Sequence, residues 1–377
     1  MLNQKPMKSV YNLLTPVLLF LVLTGGLTPA IARTEFTKTI KKEYDIAATG
    51  TTMLSNKYGK VDIKTWDQNK VKIAVTIVVN ASSESAAQNV FDRININFSN
   101  SSDYVKAETV VEPVNSRWGF STGSRSDYSI NYEVYMPASN NLQVDHRYGD
   151  LYVGAVRGKV RLDVKYVNFK LESAGDNSSI TFGYGNGTIV KAKDLYTDVS
   201  YSKLNIEEAA NLNITSKYTQ VNVTKASDLT CTTKYDTYQL GKIQDLKNTG
   251  MYDNFKIGEC AGLELIGKYT TLKAERVTKG LDLDMSYGSA EAKLAKGFSS
   301  AAATARYTNF KIGTEAGASY FLDAISNYAG ISYPTELDVE YNIQKNASQT
   351  VKGKLGKSPA ATIKVQLDYG GLKVYTY

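Results

Sequence analysis

Tyrosine recurs at a fixed beat along this chain. The stretch LNITSKYTQVNVTKASD, from Leu212 to Asp228, begins again at Leu229 as LTCTTKYDTYQLGKIQD, and Tyr201, Tyr218, Tyr235, Tyr252 and Tyr269 stand 17 residues apart. Thirteen tyrosines keep this phase, the others being Tyr58, Tyr148, Tyr166, Tyr184, Tyr287, Tyr307, Tyr328 and Tyr369. A unit this short cannot bury an apolar face alone, so its repetition restricts the chain to a stacked array.

Six, four and two residues before the tyrosine, and three, five and eight after it, the positions are mostly apolar or small. Around Tyr218 they are Leu212, Ile214, Ser216, Val221, Val223 and Ala226. Period two up to the tyrosine describes a strand with one inward face. Parity breaks between the fifth and eighth positions, where the chain must turn a corner. Pairs following the tyrosine, such as Gly149-Asp150, Asp253-Asn254 and Thr308-Asn309, are turn chemistry.

A meander of tight hairpins and a parallel β-solenoid both satisfy this pattern. Polar ladders decide between them. Thr215, Thr232 and Thr249 lie three residues before consecutive tyrosines, and Asn205, Asn222 and Gln239 lie four after. Such residues bond to one another only when rungs run parallel and in register, about 4.8 Å apart. The expected fold is all-β: a parallel β-solenoid (β-helix) with about 17 residues per rung, plus a small inserted α+β cap.

Residues 1–32 read as a secretory signal: Lys5 and Lys8, an apolar run from Leu13 to Leu23, then Ala30-Ile31-Ala32 ahead of Arg33. The run is too short for a bilayer span of roughly 20 residues, and no cysteine follows it for a lipid anchor. Export to the periplasm, cell surface or medium is expected, with no transmembrane span in what remains. Without the signal, 42 basic residues face 37 acidic ones, a formal +5 that gives no ground for a nucleic-acid partner. An outer-membrane barrel is disfavoured because its strands need about 9 to 11 residues with an outward apolar band, whereas these carry Lys, Asp and Thr outside.

Residues 33–67 hold a first strand and a first rung, TMLSNKYGKVDIKTW; the beat then stops until Asn141. The interval 68–140 offers an alternating strand (Val71, Ile73, Val75, Ile77, Val79) and a helix in SSESAAQNVFDRI behind a Ser82 or Ser83 cap. Further strands are expected at 94–98, 104–111 and 128–136. This inserted layer is expected to cover the solenoid's open end, since a bare strand edge recruits other chains. Rungs follow over 141–336, their spacings stretching to 18, 20 and 21. Residues 337–377 are expected to form the opposite cap and a last rung, IKVQLDYGGLKVY. Cys231 and Cys260 fall at inward phases; a disulfide is open to them in an oxidising compartment, but two buried thiols are the preferred reading.

The signal, the segment KTWDQNKVKIAVTIVV, the helix SAAQNVFDRI, the strand entering YMPASNNLQVDHRYGDLYV and the many Y-G or Y-T rungs together resemble the family of secreted Bacteroidota proteins labelled putative adhesin, a domain of unknown function. The resemblance spans nearly all of the chain after the signal. It implies a β-solenoid and export, and brings no catalytic residues. Here tyrosine is kept more regularly than the glycine after it, a departure from the family's pattern.

The residue before the repeat tyrosine is often basic: Lys57, Arg147, Lys165, Lys217, Lys234, Lys268 and Arg306. Stacked outward, these would form a positive stripe suited to an acidic glycan or another envelope polyanion. A solvated face is the simpler reading, with Gly183, Ser200, Met251 and Ser286 diluting the charge. Asp145 and Asp163, with Asp198 two rungs on, could serve glycosidic cleavage or hold Ca²⁺. Arg147 and Lys165 stand ready to neutralise them, so a polysaccharide lyase or hydrolase is the alternative rather than the preferred reading. His146 reads as a satisfied core residue rather than a base. Trp118 and Phe120 either stack on sugars or fold back over the cap, the second being favoured. No P-loop, dinucleotide fingerprint, zinc spacing or nucleophile elbow is present, and nothing requires a cofactor. The preferred reading is a non-enzymatic, adhesin-like interaction protein; a structural envelope protein assembling through its ends is a further alternative.

Overall fold

The computed structural model describes residues 33–113 and 127–377; the expected signal and the Trp118/Phe120 loop lie outside them. The first part contains β1 (Thr34–Asp45), β2 (Thr51–Trp66), β3 (Lys70–Ala81), α1 (Glu84–Phe91), β4 (Ile94–Asn100), β5 (Tyr104–Val111) and β6 (Asp127–Pro137). The rungs follow as β7 (Asn141–Ala155), β8 (Val160–Ala174), β9 (Ser178–Gly183), β10 (Asn186–Ser200), β11 (Lys203–Lys217), β12 (Gln220–Lys234), β13 (Thr237–Met251), β14 (Asn254–Lys268), β15 (Thr271–Ser286), β16 (Ser289–Leu294), β17 (Ser300–Thr314) and β18 (Tyr320–Ser332). The chain ends in β19 (Asp338–Lys345), β20 (Ser348–Leu355) and β21 (Ala361–Thr376).

Successive rungs pair in parallel with equivalent residues opposite one another: Leu212 meets Leu229, Thr215 meets Thr232 and Thr232 meets Thr249. Asn205, Asn222 and Gln239 form a second column, in which Asn222 Nδ2 donates to Asn205 Oδ1 at 2.7 Å. These pairings are those of a parallel β-solenoid and exclude the meander. Leu212, Ile214, Val221, Val223 and Ala226 are buried, and so are their counterparts in neighbouring rungs. Cys231 and Cys260 are free and buried among them; burial raises both thiols, Cys260 to about 12.

The corner at each tyrosine is left-handed. All thirteen have φ between 51° and 62°, a region in which a bulky side chain is an outlier and costs about 1–2 kcal/mol. The left-handed residue breaks the alternation, so Lys217 and Tyr218 are both exposed while Thr219 is buried. Each ring then lies over the next. Centroids from Tyr58 through Tyr148 and on to Tyr307 are 4.7–5.4 Å apart with planes within 19°. At about 0.5–1.5 kcal/mol per aromatic pair, stacking offsets much of the strain. Backbone groups at the corner are satisfied between rungs: Tyr218 N–H donates to Lys234 O, and Gln220 N–H to Ser202 O, each at 3.0 Å.

At the amino-terminal end the outer edge of β2 is covered by β5 along 51–55 and by β6 along 61–66. Antiparallel strands extend this layer, β3 on β6, β1 on β3 and β4 on β5. The helix α1 starts at Ser83, whose hydroxyl accepts from Ala86 N–H at 3.2 Å, and buries Ala87, Val90 and Phe91. Tyr128 closes this end of the tyrosine stack, edge-on to Tyr58 at 5.6 Å.

The other end departs from sequence order. The last rung, β21, does not lie beyond the preceding segment: it is inserted between β17 and β18, parallel to both. Tyr369 accordingly stacks between Tyr307 and Tyr328, 4.8 Å from each. The first half of β18 is covered on its far side by β20, and β20 by β19, both antiparallel. Because every rung presents the same inward pattern, either order of stacking would bury the same faces.

Candidate functional site: the tyrosine ladder and its cations

The basic residues before the tyrosines do share one column. Lys57 is partnered with Arg147 and Arg147 with Lys165; after Gly183 and Ser200 come Lys217 and Lys234; after Met251 come Lys268, Ser286 and Arg306. Lys165, Lys234, Lys268 and Arg306 carry their charge 5.3–6.0 Å from the centres of tyrosine rings. Each such contact is worth about 0.5–1 kcal/mol on an exposed surface.

Elsewhere on the outer faces some cations pair with carboxylates across rungs: Lys225 with Glu208 at 3.0 Å, Lys242 with Glu259 at 3.0 Å, and Lys247 with Glu264 at 2.9 Å. Among the described residues, Lys57, Lys165, Lys217, Lys234, Lys268 and Arg306 have no carboxylate within ion-pair distance.

Arg147 is the exception in the stripe. Its guanidinium bridges Asp145 at 2.9 Å and Asp163 at 2.8 Å and also donates to Asp163 O at 2.6 Å. The expected neutralisation of the two carboxylates is therefore carried by Arg147 alone, while Lys165 turns to the rings of Tyr166 and Tyr184. Asp198 continues their column beyond Thr181. Held by one cation, Asp145 and Asp163 are poorly placed to work as an acid and a nucleophile. His146 is fully buried, its ring nitrogens 3.2 Å from Asn56 O and 3.0 Å from Gly59 O, and burial lowers its pKa. Among the described residues no cluster of three His, Cys, Asp or Glu could hold a metal ion.

Sequence reasoning missed the interior polar network behind the ladder. The residue after the tyrosine is buried at Val167, Thr219, Thr270 and Thr308, and in two consecutive rungs it is aspartate: Asp236 and Asp253 are both buried. Asp236 Oδ1 accepts the Thr219 N–H at 2.7 Å, and its Oδ2 accepts the Ser216 hydroxyl at 2.7 Å and the Lys234 N–H at 2.9 Å. Asp253 repeats the arrangement on the Asp236 N–H at 2.9 Å and the Thr233 hydroxyl at 2.7 Å. Tyr238, fully buried, shares a 2.7 Å hydrogen bond with Ser216. Burial raises both carboxyls, Asp253 to about 6. The column Ser202, Thr219, Asp236, Asp253, Thr270 was the available signal, hidden by reading Asp253-Asn254 as turn chemistry. On the outer face, Gly241 and Gly258 in adjacent rungs leave an open groove of about 600 Å³ lined by Asn222, Gln239, Lys256 and Lys273.

No protein-family model matches the chain, and no curated protein matches it either. Among solved structures the chain is similar to a putative cell adhesion protein from Clostridium sporogenes, with 10% identity over 91% of this chain and 100% of the other, TM-score 0.20. It is also similar to a putative adhesin from Parabacteroides merdae, with 10% identity, 90% and 96% coverage and TM-score 0.27. A third, from Parabacteroides distasonis, shows 12% identity, 90% and 97% coverage and TM-score 0.24. At these TM-scores the superpositions carry no argument, and the solenoid rests on the chain's own strand pairing.

Proposed function

We propose that the protein is a non-enzymatic, adhesin-like interaction protein of the cell envelope, and that it binds an acidic glycan lying along the tyrosine ladder. The observation that carries this reading is one column of cations beside the stacked rings: among the described residues all of them but Arg147 lack a carboxylate partner, and four stand over the rings, whereas Lys225, Lys242 and Lys247 elsewhere on the solenoid are paired. Lys57, Lys165, Lys217, Lys234, Lys268 and Arg306 are the contacts, with Arg147 occupied by Asp145 and Asp163. Glycine would turn the same corner at lower backbone cost. Keeping tyrosine instead lays down a strip of exposed ring edges that can meet sugar, next to cations that can meet carboxylate or sulfate.

Binding of polygalacturonate, with neutral dextran as control, tests the reading by biolayer interferometry across a salt series. Affinity for the acidic polymer falls as salt rises, because exposed charges are screened over about 10 Å at 0.1 M. The double variant Lys217→Glu/Lys234→Glu binds at least about tenfold more weakly, whereas Lys242→Glu/Lys247→Glu, at paired cations, changes little. Salt-independent binding, or equal losses in the two double variants, would overturn it.

A further inference from the structure

The two ends of the solenoid are finished differently. At the amino-terminal end β1, one of the edge strands there beside β4, carries Lys38, Lys41 and Lys42, charges of the kind that keep an exposed strand from pairing with a neighbour. At the carboxy-terminal end the outermost strand is β19. Among the described residues it pairs only with β20, and all eight of its residues are exposed. Val339, Tyr341 and Ile343 are 37%, 46% and 47% exposed. Phe321, Ile325 and Tyr328 add to the apolar surface near this end, and Tyr328, last in the ring stack, is 65% exposed against 38–48% for the other twelve repeat tyrosines.

We infer that this end is a self-association surface, in which β19 pairs antiparallel with β19 of a second copy about a two-fold axis at Asn342. Tyr341 and Ile343 lie opposite Lys352 and Thr350 of β20 and so share one face. Antiparallel pairing centred on the residue between them sets each copy's Tyr341 across from the other's Ile343. Aromatic and β-branched residues directly opposite are a favourable cross-strand pair. Charge selects the same arrangement: β19 has Asp338 and Glu340 near one end and Lys345 at the other, and reversal of the second copy places acidic end beside basic end. Lys354 already contacts Asp338 at 3.5 Å and Glu340 at 3.2 Å, yet Asp338 remains 69% exposed and open to a further cation. Pairing with β1 of another copy would instead bring lysine to whichever face met the apolar pair, since Lys38 and Lys42 stand on one face of β1 and Lys41 on the other. A two-fold contact closes at two copies, whereas a head-to-tail contact propagates.

Sedimentation velocity on the purified protein from about 1 to 100 µM, a range that brackets moderate affinities, tests the inference. The expected result is a monomer–dimer equilibrium that stops at two. Ile343→Lys shifts the protein to monomer without altering its far-ultraviolet circular dichroism, and Tyr341→Ser, which adds no charge, weakens the dimer at least about tenfold. Asn342→Cys forms a covalent dimer on mild oxidation, since Cα atoms directly opposite in antiparallel strands lie about 4.5–5.5 Å apart, within disulfide reach; Lys38→Cys does not. A strict monomer over the whole range, open-ended polymers, or wild-type dimerisation of both Ile343→Lys and Tyr341→Ser would each overturn it.

Discussion

The middle rungs and the last rungs follow the same code and come out differently. From β10 to β15 the tyrosines keep a spacing of 17 until the final step of 18, and stacking order is chain order. From β17 onward the spacing loosens and the chain's last strand is inserted between two earlier ones. A repeating pattern tells each rung which face to bury, but it does not number the rungs. Order is set by what does not repeat, here the β19–β20 hairpin, which occupies the far edge of β18 and leaves β21 the slot beside β17. Truncation after Gly356 breaks this difference most severely. Without β21, amide exchange in β18 and β20 should become fast while β11 to β14 stay protected, because rung contacts are nearest-neighbour. A peptide of residues 361–377 added in trans should restore protection. Uniform loss along the whole solenoid would show that the two regions fold as one unit.

A second comparison sets a tyrosine inside the stack against the one at its end. Tyr235 has a ring on both sides; among the described residues Tyr328 has only Tyr369. Tyr235→Ala keeps the left-handed strain and loses two ring contacts, so a loss of about 1–3 kcal/mol is expected from denaturant unfolding. Tyr235→Gly should recover about 1 kcal/mol of that by relieving the strain. At Tyr328 the alanine effect should be about half as large. Equal losses at the two sites would mean that stacking does not hold the corner.

Much of this was legible in the residues. The ladders Thr215/Thr232/Thr249 and Asn205/Asn222/Gln239 required parallel rungs, and the tyrosine phase placed Lys217 beside Lys234. The cap was readable wherever period two or a capped helix was local, as at Val71 to Val79 and at Ser83. Three things were not. The insertion of β21 is invisible because equivalent rungs are interchangeable in their burial pattern. The left-handed corner is hidden because tyrosine is a residue that ordinarily avoids it, so its outward ring and the inward residue after it do not follow from alternation. Arg147's hold on two carboxylates depends on a side-chain rotamer rather than on spacing.

The smallest expected effect concerns the inward residue itself, and it separates rungs with a buried carboxyl from rungs without. Asp253 titrates in the folded protein at about 6 against 3.8 for the free side chain, chiefly because burial disfavours the charge; Asp236 beside it is shifted the same way. A folded pKa above the unfolded one means that the folded state holds the proton more tightly. The stability contributed is therefore fully present below 3.8 and is lost as pH rises through about 6. Hydrogen bonds from Thr233 and from the Asp236 N–H oppose the shift without cancelling it. Asp253→Asn keeps an acceptor for that N–H and removes the titration. The difference in melting temperature, wild type minus variant, should thus be a few degrees more favourable to wild type at pH 5 than at pH 7.5. The same comparison at Thr270→Asn, one rung on and without a charge to lose, should show no pH dependence. A difference at Asp253 that is flat in pH, or that grows as pH rises, would mean the carboxylate is stabilised in the core by its hydrogen bonds more than it is penalised by burial.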